Sequence, residues 1–134
     1  MKILLFIFVL LTKFVNAEVI DIDNRELTNL IEKKINIIDV RTQNEWKSTG
    51  IIKGSFLMSL LNKNKKFIFQ DWYEIFNNKF DRNKSIIFIC ASGVRSNYIS
   101  HLVKKKKPDL IVYNLKRGIN SWIRSGYNVE RLSN

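Results

Sequence analysis

The chain holds a single cysteine, Cys90, and the residues that follow it are those a reactive thiol needs. An apolar run, Ser85-Ile86-Ile87-Phe88-Ile89, leads into Cys90-Ala91-Ser92-Gly93-Val94-Arg95-Ser96. A free thiol has a pKa of about 8.5, and the thiolate is the nucleophile; a helix N-terminus and a nearby cation both favour it. Main-chain N–H groups of Ala91, Ser92, Gly93, Val94 and Arg95 can converge on an anion as a cup. Gly93 lets that backbone curl without a Cβ, and Arg95 adds a planar fork suited to a doubly charged oxyanion. The competing reading is a buried structural cysteine at the end of a core strand. Glycine and arginine at a strand-to-helix turn favour chemistry.

Such a loop needs a strand before it and a helix after it. Ile35–Val40 and Leu110–Leu115 are short, β-branched runs and read as buried strands like Ser85–Ile89; Glu18–Ile22 reads as a short edge strand. Helix starts stand at Asp23-Asn24-Arg25-Glu26 and Thr42-Gln43-Asn44-Glu45, where a short polar residue precedes a glutamate by three positions. Three stripes recur at helical spacing: Phe69, Trp72, Tyr73, Phe76 and Phe80; Val94, Tyr98, Ile99, Leu102 and Val103; and Ile119, Trp122 and Ile123, closed by Gly126. All three read as core packing. Apolar strands alternating with amphipathic helices indicate an α/β fold with a parallel sheet covered on both faces. In such sheets, ligands bind beyond the carboxyl ends of strands, which is where Cys90 falls.

With 134 residues, 46% of them hydrophobic, the chain has room for one domain with a substantial core. Its net charge of +11 raises the local concentration of anions. That suits a small anionic substrate; nucleic acid or an anionic membrane would gain equally, and charge alone does not separate them. No nucleic-acid partner is expected. One cysteine and one histidine, His101, exclude a zinc site built from those residue types, and no metal or cofactor is expected. His101 lies off the apolar stripe of its helix and reads as a surface residue. Lys104–Lys107, ahead of Pro108, reads as a solvated helix end complementing the dipole.

The first seventeen residues read as a secretory signal. Lys2 precedes the apolar run Ile3–Leu11, and Val15-Asn16-Ala17 has compact residues where a peptidase cuts. The run is shorter than the ~20 residues of a membrane span. A hydrophobic first strand or a helix resting on a membrane is the alternative. Cleavage would leave residues 18–134 as a single domain starting at Glu18, exported to a bacterial periplasm.

Three blocks resemble those of rhodanese-like domains. The first is Ile38-Asp39-Val40-Arg41 with Glu45-Trp46 and Gly50-Ile51-Ile52-Lys53-Gly54-Ser55. The cysteine loop is the second. Val112-Tyr113-Asn114-Leu115-Lys116-Arg117-Gly118, with Trp122 and Gly126-Tyr127-Asn128-Val129, is the third. The resemblance implies a three-layer sandwich with a mainly parallel sheet of about five strands. It implies a sulfurtransferase: Cys90 is the nucleophile that carries a persulfide, and the Ala91–Arg95 loop binds an anionic donor such as thiosulfate. The acceptor is cyanide or a thiol, and a protein sulfur acceptor is a further partner. Asp39 and Arg41 would brace the loop and pocket floor, while capping accounts for Glu45. A carrier or partner-binding module with little turnover is the second reading. A cysteine-based phosphatase is the third; that chemistry goes with a loop one residue longer than the four residues enclosed by Cys90 and Arg95. Two positions depart from the family pattern, Ile51 for histidine and Arg117 for one of two paired glycines.

Overall fold

The computed structural model describes residues 18–133; the segment 1–17, with its signal reading, lies outside them. Ten elements follow in order: β1 (Ile20–Ile22), α1 (Asn24–Glu32), β2 (Ile37–Asp39), α2 (Gln43–Thr49), β3 (Phe56–Leu57), α3 (Phe69–Phe80), β4 (Ser85–Ile89), α4 (Val94–Lys106), β5 (Ile111–Leu115) and α5 (Gly118–Arg124). The strands form one sheet in the order β1-β5-β4-β2-β3, and every pair is parallel. This is the α/β sandwich expected. β3 is two residues long and carries no periodicity that would have marked it in the sequence.

Alternation along β4 divides the core. Ile86 and Phe88 face Trp72, Phe76 and Phe80 of α3 and Ile99 and Val103 of α4. Ile87 and Ile89 face Leu27 and Leu30 of α1 and Ile119 and Trp122 of α5. A strand buried on both faces has no use for polar residues, so β4 reads as a continuous apolar run. The aromatic stripe of α3 packs as expected: Trp72 stacks on Phe76 at 5.4 Å, and Phe76 meets Phe88 at 5.7 Å.

Local chemistry sets the element ends. Thr42 and Glu45 form a reciprocal capping box, with the Thr42 N–H donating to Glu45 Oε2 at 2.9 Å. At α1 only half of the expected box forms: the Glu26 N–H donates to Asp23 Oδ1 at 2.8 Å. The strand expected over 35–40 begins at Ile37 because Ile35 closes α1. Lys34 takes φ 59, its N–H donates to the Ile31 carbonyl, and the Ile35 N–H donates to the Leu30 carbonyl. These two bonds are the Schellman pattern, here built on lysine. The α5 end repeats it around Gly126, as expected, with bonds from Gly126 to Ile123 and from Tyr127 to Trp122.

Three burial expectations need correction. On α4, Val94 and Tyr98 are exposed; the inward face is Ser96, Ile99, Ser100, Val103 and Lys104. The helix is turned so that small hydroxyl residues meet the cysteine loop and β5. On α5, Ile123 is partly exposed beside buried Ile119 and Trp122. Lys104 is not solvated: it is buried, and its ammonium donates to the Leu110 carbonyl at 2.5 Å. His101 is exposed, as expected.

Candidate active site

The order of the strands creates a crevice. From β4 the chain crosses to β5 on one side, and from β2 it crosses to β3 on the other, so the loops beyond β4 and β2 diverge. That divergence is the switch point where open α/β sheets hold ligands. Cys90 follows directly on β4 there and is 1% exposed.

The loop after Cys90 folds back on the sulfur. N–H groups of Gly93 and Ser96 lie 3.1 and 3.3 Å from Cys90 Sγ, and the Ser96 hydroxyl oxygen lies 3.2 Å away. Main-chain donors and the start of a thirteen-residue helix thus stand where negative charge on sulfur would be stabilised. Of the residues expected to line the cup, Gly93 supplies a donor, whereas Ala91 is half-buried and Ser92 and Val94 are exposed. Ser96 supplies the second N–H and the hydroxyl, a role not anticipated. The apolar stripe of α4 did not mark it, because the inward face there is set by packing against the cysteine loop and β5.

Two glycines allow the loop to seat. Gly93 caps α4 at φ +92, and a Cβ on it would lie 1.9 Å from the Lys116 carbonyl oxygen. Gly118 takes φ +66, and its Cβ would lie 2.2 Å from the Ala91 carbonyl oxygen. The Cys90 and Ala91 carbonyls accept from the Ile119 and Asn120 N–H groups at 2.9 and 3.1 Å, so α5 clamps the loop from below. The Arg117 departure is thereby explained. Its φ is −105, a conformation open to any residue, and only Gly118 of the expected pair needs to be glycine. Ile51, the other departure, is buried and pairs through its backbone with Glu130.

Arg95 does not hold an open fork over the cup. Its guanidinium donates to both oxygens of Glu45, at 2.9 and 2.6 Å. Glu45 therefore does more than cap α2. The Arg95 bond is the main reason its carboxyl sits at about 2, well below the ordinary 4.5, with partial burial opposing the shift; the same pairing raises Arg95. Asp39 and Arg41 form a buried bidentate pair, with bonds of 2.7 to 3.1 Å. The remaining Arg41 donors reach the Thr49 hydroxyl at 2.7 Å and the Gly50 carbonyl at 2.9 Å. The pair braces the end of α2, and through it the seat of Glu45; among the described residues its side-chain hydrogen bonds go to that helix end. No cluster of metal-ligating residues occurs among the described residues, and no helix among them is long and apolar enough to cross a membrane.

A parallel sheet with a cysteine at its switch point, ringed by main-chain donors, defines a class. The family model of the rhodanese-like domain matches residues 23–125, and the chain belongs to that family. The chain is 39% identical over 93 residues to an uncharacterised protein, RP600, of Rickettsia prowazekii, covering 61% of this chain and 67% of that protein. A rhodanese-like domain protein from Staphylococcus aureus superposes with a TM-score of 0.64 at 25% identity, covering 85% of this chain and 99% of that one. The polysulfide-sulfur transferase of Wolinella succinogenes gives 0.66 at 18% identity, over 89% and 83%. A Rhodopseudomonas palustris protein of unknown function, described as a possible tyrosine phosphatase, gives 0.65 at 18%, over 87% and 88%. At identities this low, the last two show a shared fold and nothing about reaction.

Proposed function

We propose that the protein is a sulfurtransferase that moves sulfane sulfur from thiosulfate or a similar donor to a thiophilic acceptor through a persulfide on Cys90. The observation carrying this reading is the ring of donors around the sulfur: the Gly93 and Ser96 N–H groups at 3.1 and 3.3 Å. The thiolate attacks the outer sulfur of the donor. A bond forms between Sγ and that sulfur, the donor's own S–S bond breaks, and sulfite leaves with the electron pair. An acceptor such as cyanide then takes the outer sulfur, and Cys90 departs as thiolate into the same donors. The near-complete enclosure of Sγ favours a narrow sulfur donor over a bulky phosphate ester, as does the short loop.

The test is to mix purified protein with thiosulfate and cyanide, follow thiocyanate, and weigh the protein. A sulfur adduct of about 32 Da on the wild type, lost in Cys90→Ser together with turnover, is the expected result. Adduct without turnover would make the protein a carrier or partner-binding module. Phosphate-ester hydrolysis without adduct would sink the reading.

The first seventeen residues are read as an export signal on the strength of Lys2, the run Ile3–Leu11 and Val15-Asn16-Ala17. N-terminal sequencing of the protein from its native cell should begin at Glu18. A mature chain beginning at Met1 would overturn export and leave the chemistry untouched.

A further inference from the structure

Behind Cys90 runs a hydrogen-bonded chain that the sulfur-transfer reading does not use. The Ser96 hydroxyl oxygen lies 3.2 Å from Cys90 Sγ and 2.6 Å from Asn114 Oδ1. Asn114 Nδ2 donates to Asp21 Oδ1 at 3.0 Å. Asn114 stands on β5 opposite Asp21 on β1, the edge strand, so strand pairing itself places the two together. Ser96 is fully buried and Asn114 is 2% exposed, while Asp21 reaches solvent.

A hydroxyl carries one proton, and here two acceptors compete for it. The Asp21 carboxylate accepts only, so it holds the NH2 end of the Asn114 amide and turns the amide oxygen toward Ser96. At 2.6 Å that oxygen is the closer acceptor. A buried carbonyl deprived of its donor is costly, so the hydroxyl proton stays on Asn114 and the Ser96 lone pairs face sulfur. A protonated Cys90 completes the chain by donating S–H to Ser96. An ionised Cys90 has the two main-chain donors and no hydroxyl.

We propose that Asp21 and Asn114 are positioning residues that withhold the Ser96 hydroxyl proton from Cys90, so that the hydrogen bonds to a thiolate come from the loop's main-chain N–H groups and not from this hydroxyl. The purpose is poise. A thiol stabilised too far as thiolate loses nucleophilicity, and the best attacking thiol ionises near ambient pH. That benefit rests on the sulfur-transfer reading; the proton arrangement does not.

Other charges around the loop come from each element packed on it: Asp39 and Arg41 at the end of β2, Glu45 on α2, Arg95 on α4, and the exposed Lys116 and Arg117 beyond β5. The first four neutralise one another in two ion pairs. Asp21 is the carboxylate linked to the sulfur through hydrogen bonds.

The experiment uses Asp21→Asn, an exposed and nearly isosteric change. A carboxamide at this position offers both a donor and an acceptor, so the Asn114 amide can turn its NH2 to Ser96 and release the hydroxyl proton to sulfur. Cys90 is the sole cysteine, so thiolate ultraviolet absorbance, taken as a difference from Cys90→Ser, reports it alone. The midpoint of thiolate formation should fall by about one pH unit, equal to about a tenfold gain in thiolate at pH values below the midpoint. Loss of a nearby negative charge would shift the midpoint the same way, and two controls separate the causes. In a Ser96→Ala background the shift should vanish, because no hydroxyl remains to turn. The shift in Asp21→Asn alone should also survive about 1 M salt, which screens a charge effect at the surface. No shift in Asp21→Asn, a shift that persists without Ser96, or one erased by salt would each overturn the proposal. Since the readout is ionisation, a protein with no sulfurtransferase activity would refute the function proposed above and leave this inference standing.

Discussion

Glu45 and Arg95, fifty positions apart, meet through two hydrogen bonds of 2.6 and 2.9 Å at the mouth of the crevice that holds Cys90. The same carboxylate caps α2 through the Thr42 N–H and hydroxyl, each at 2.9 Å. One side chain thereby ties the helix after β2 to the helix after β4, across the point where the sheet reverses its winding.

This pair makes stability pH-dependent in a definite window. Glu45 is held at about 2 against an ordinary 4.5, so its folded-state pKa is depressed. A depressed carboxyl contributes stability above its unfolded pKa and loses it as pH falls toward the folded value. The wild-type advantage over Glu45→Gln in urea unfolding should be constant above about pH 5 and shrink between about 4.5 and 2. Because both side chains are roughly a third exposed, added salt should reduce that advantage. An advantage that grew on acidification would contradict the pairing.

Glu45 also competes with any anion for Arg95. Glu45→Gln retains a capping side chain while discharging the partner, which frees the guanidinium fork. The KM for thiosulfate should drop several-fold in Glu45→Gln and rise in Arg95→Ala, with smaller changes in kcat. Equal KM values in all three proteins would show that Arg95 binds no donor.

Steric demands at the two loop glycines differ from those at their neighbour. Gly93→Ala and Gly118→Ala each drive a Cβ into backbone at 1.9 and 2.2 Å and impose a residue with Cβ on a positive φ. Each should cost about 3 kcal/mol or more, since a backbone carbonyl cannot swing aside. Arg117→Gly should change stability by less than about 1 kcal/mol. Thermal unfolding of the three variants distinguishes them.

The lysine cluster at the end of α4 is not uniform. Lys104→Met removes the side-chain donor on the Leu110 carbonyl and should destabilise by about 1 to 3 kcal/mol, while exposed Lys105→Met should be nearly neutral. Chemical denaturation of the pair reads this directly.

Buried charge at the end of β2 should tolerate even less. Arg41 makes a bidentate bond with Asp39 and reaches Thr49 and Gly50 as well, at 1% exposure. Arg41→Met leaves Asp39 buried without its partner and should cost about 3 to 5 kcal/mol, and Arg41→Lys should recover only part of that because an ammonium cannot reproduce the fork. Full recovery by lysine would mean that charge alone matters there.

Much of this was already written in local patterns. Three β-branched runs, two polar-to-glutamate spacings and an aromatic stripe specify β2, β4, β5, α1, α2 and α3, because burial on both faces leaves a strand apolar and a helix end needs its N–H groups met. Cys90, Gly93 and the strand-to-helix turn between them were legible for the same reason: a short loop with one glycine has few ways to bend. The rotation of α4 was not, since hydroxyls at Ser96 and Ser100 face inward only because β5 and the cysteine loop offer them partners. Nor were the long-range pairs. Glu45 looked sufficient as a cap and Arg95 free to bind an anion until the sheet brought α2 and α4 together. Lys104 looked like one of four equivalent surface cations, and only the turn at Leu110 buries it. Elements follow from interactions within a few residues, which sequence displays; which charged or polar group meets which across the crevice depends on strand order and helix rotation, and those are decided by packing the whole chain at once.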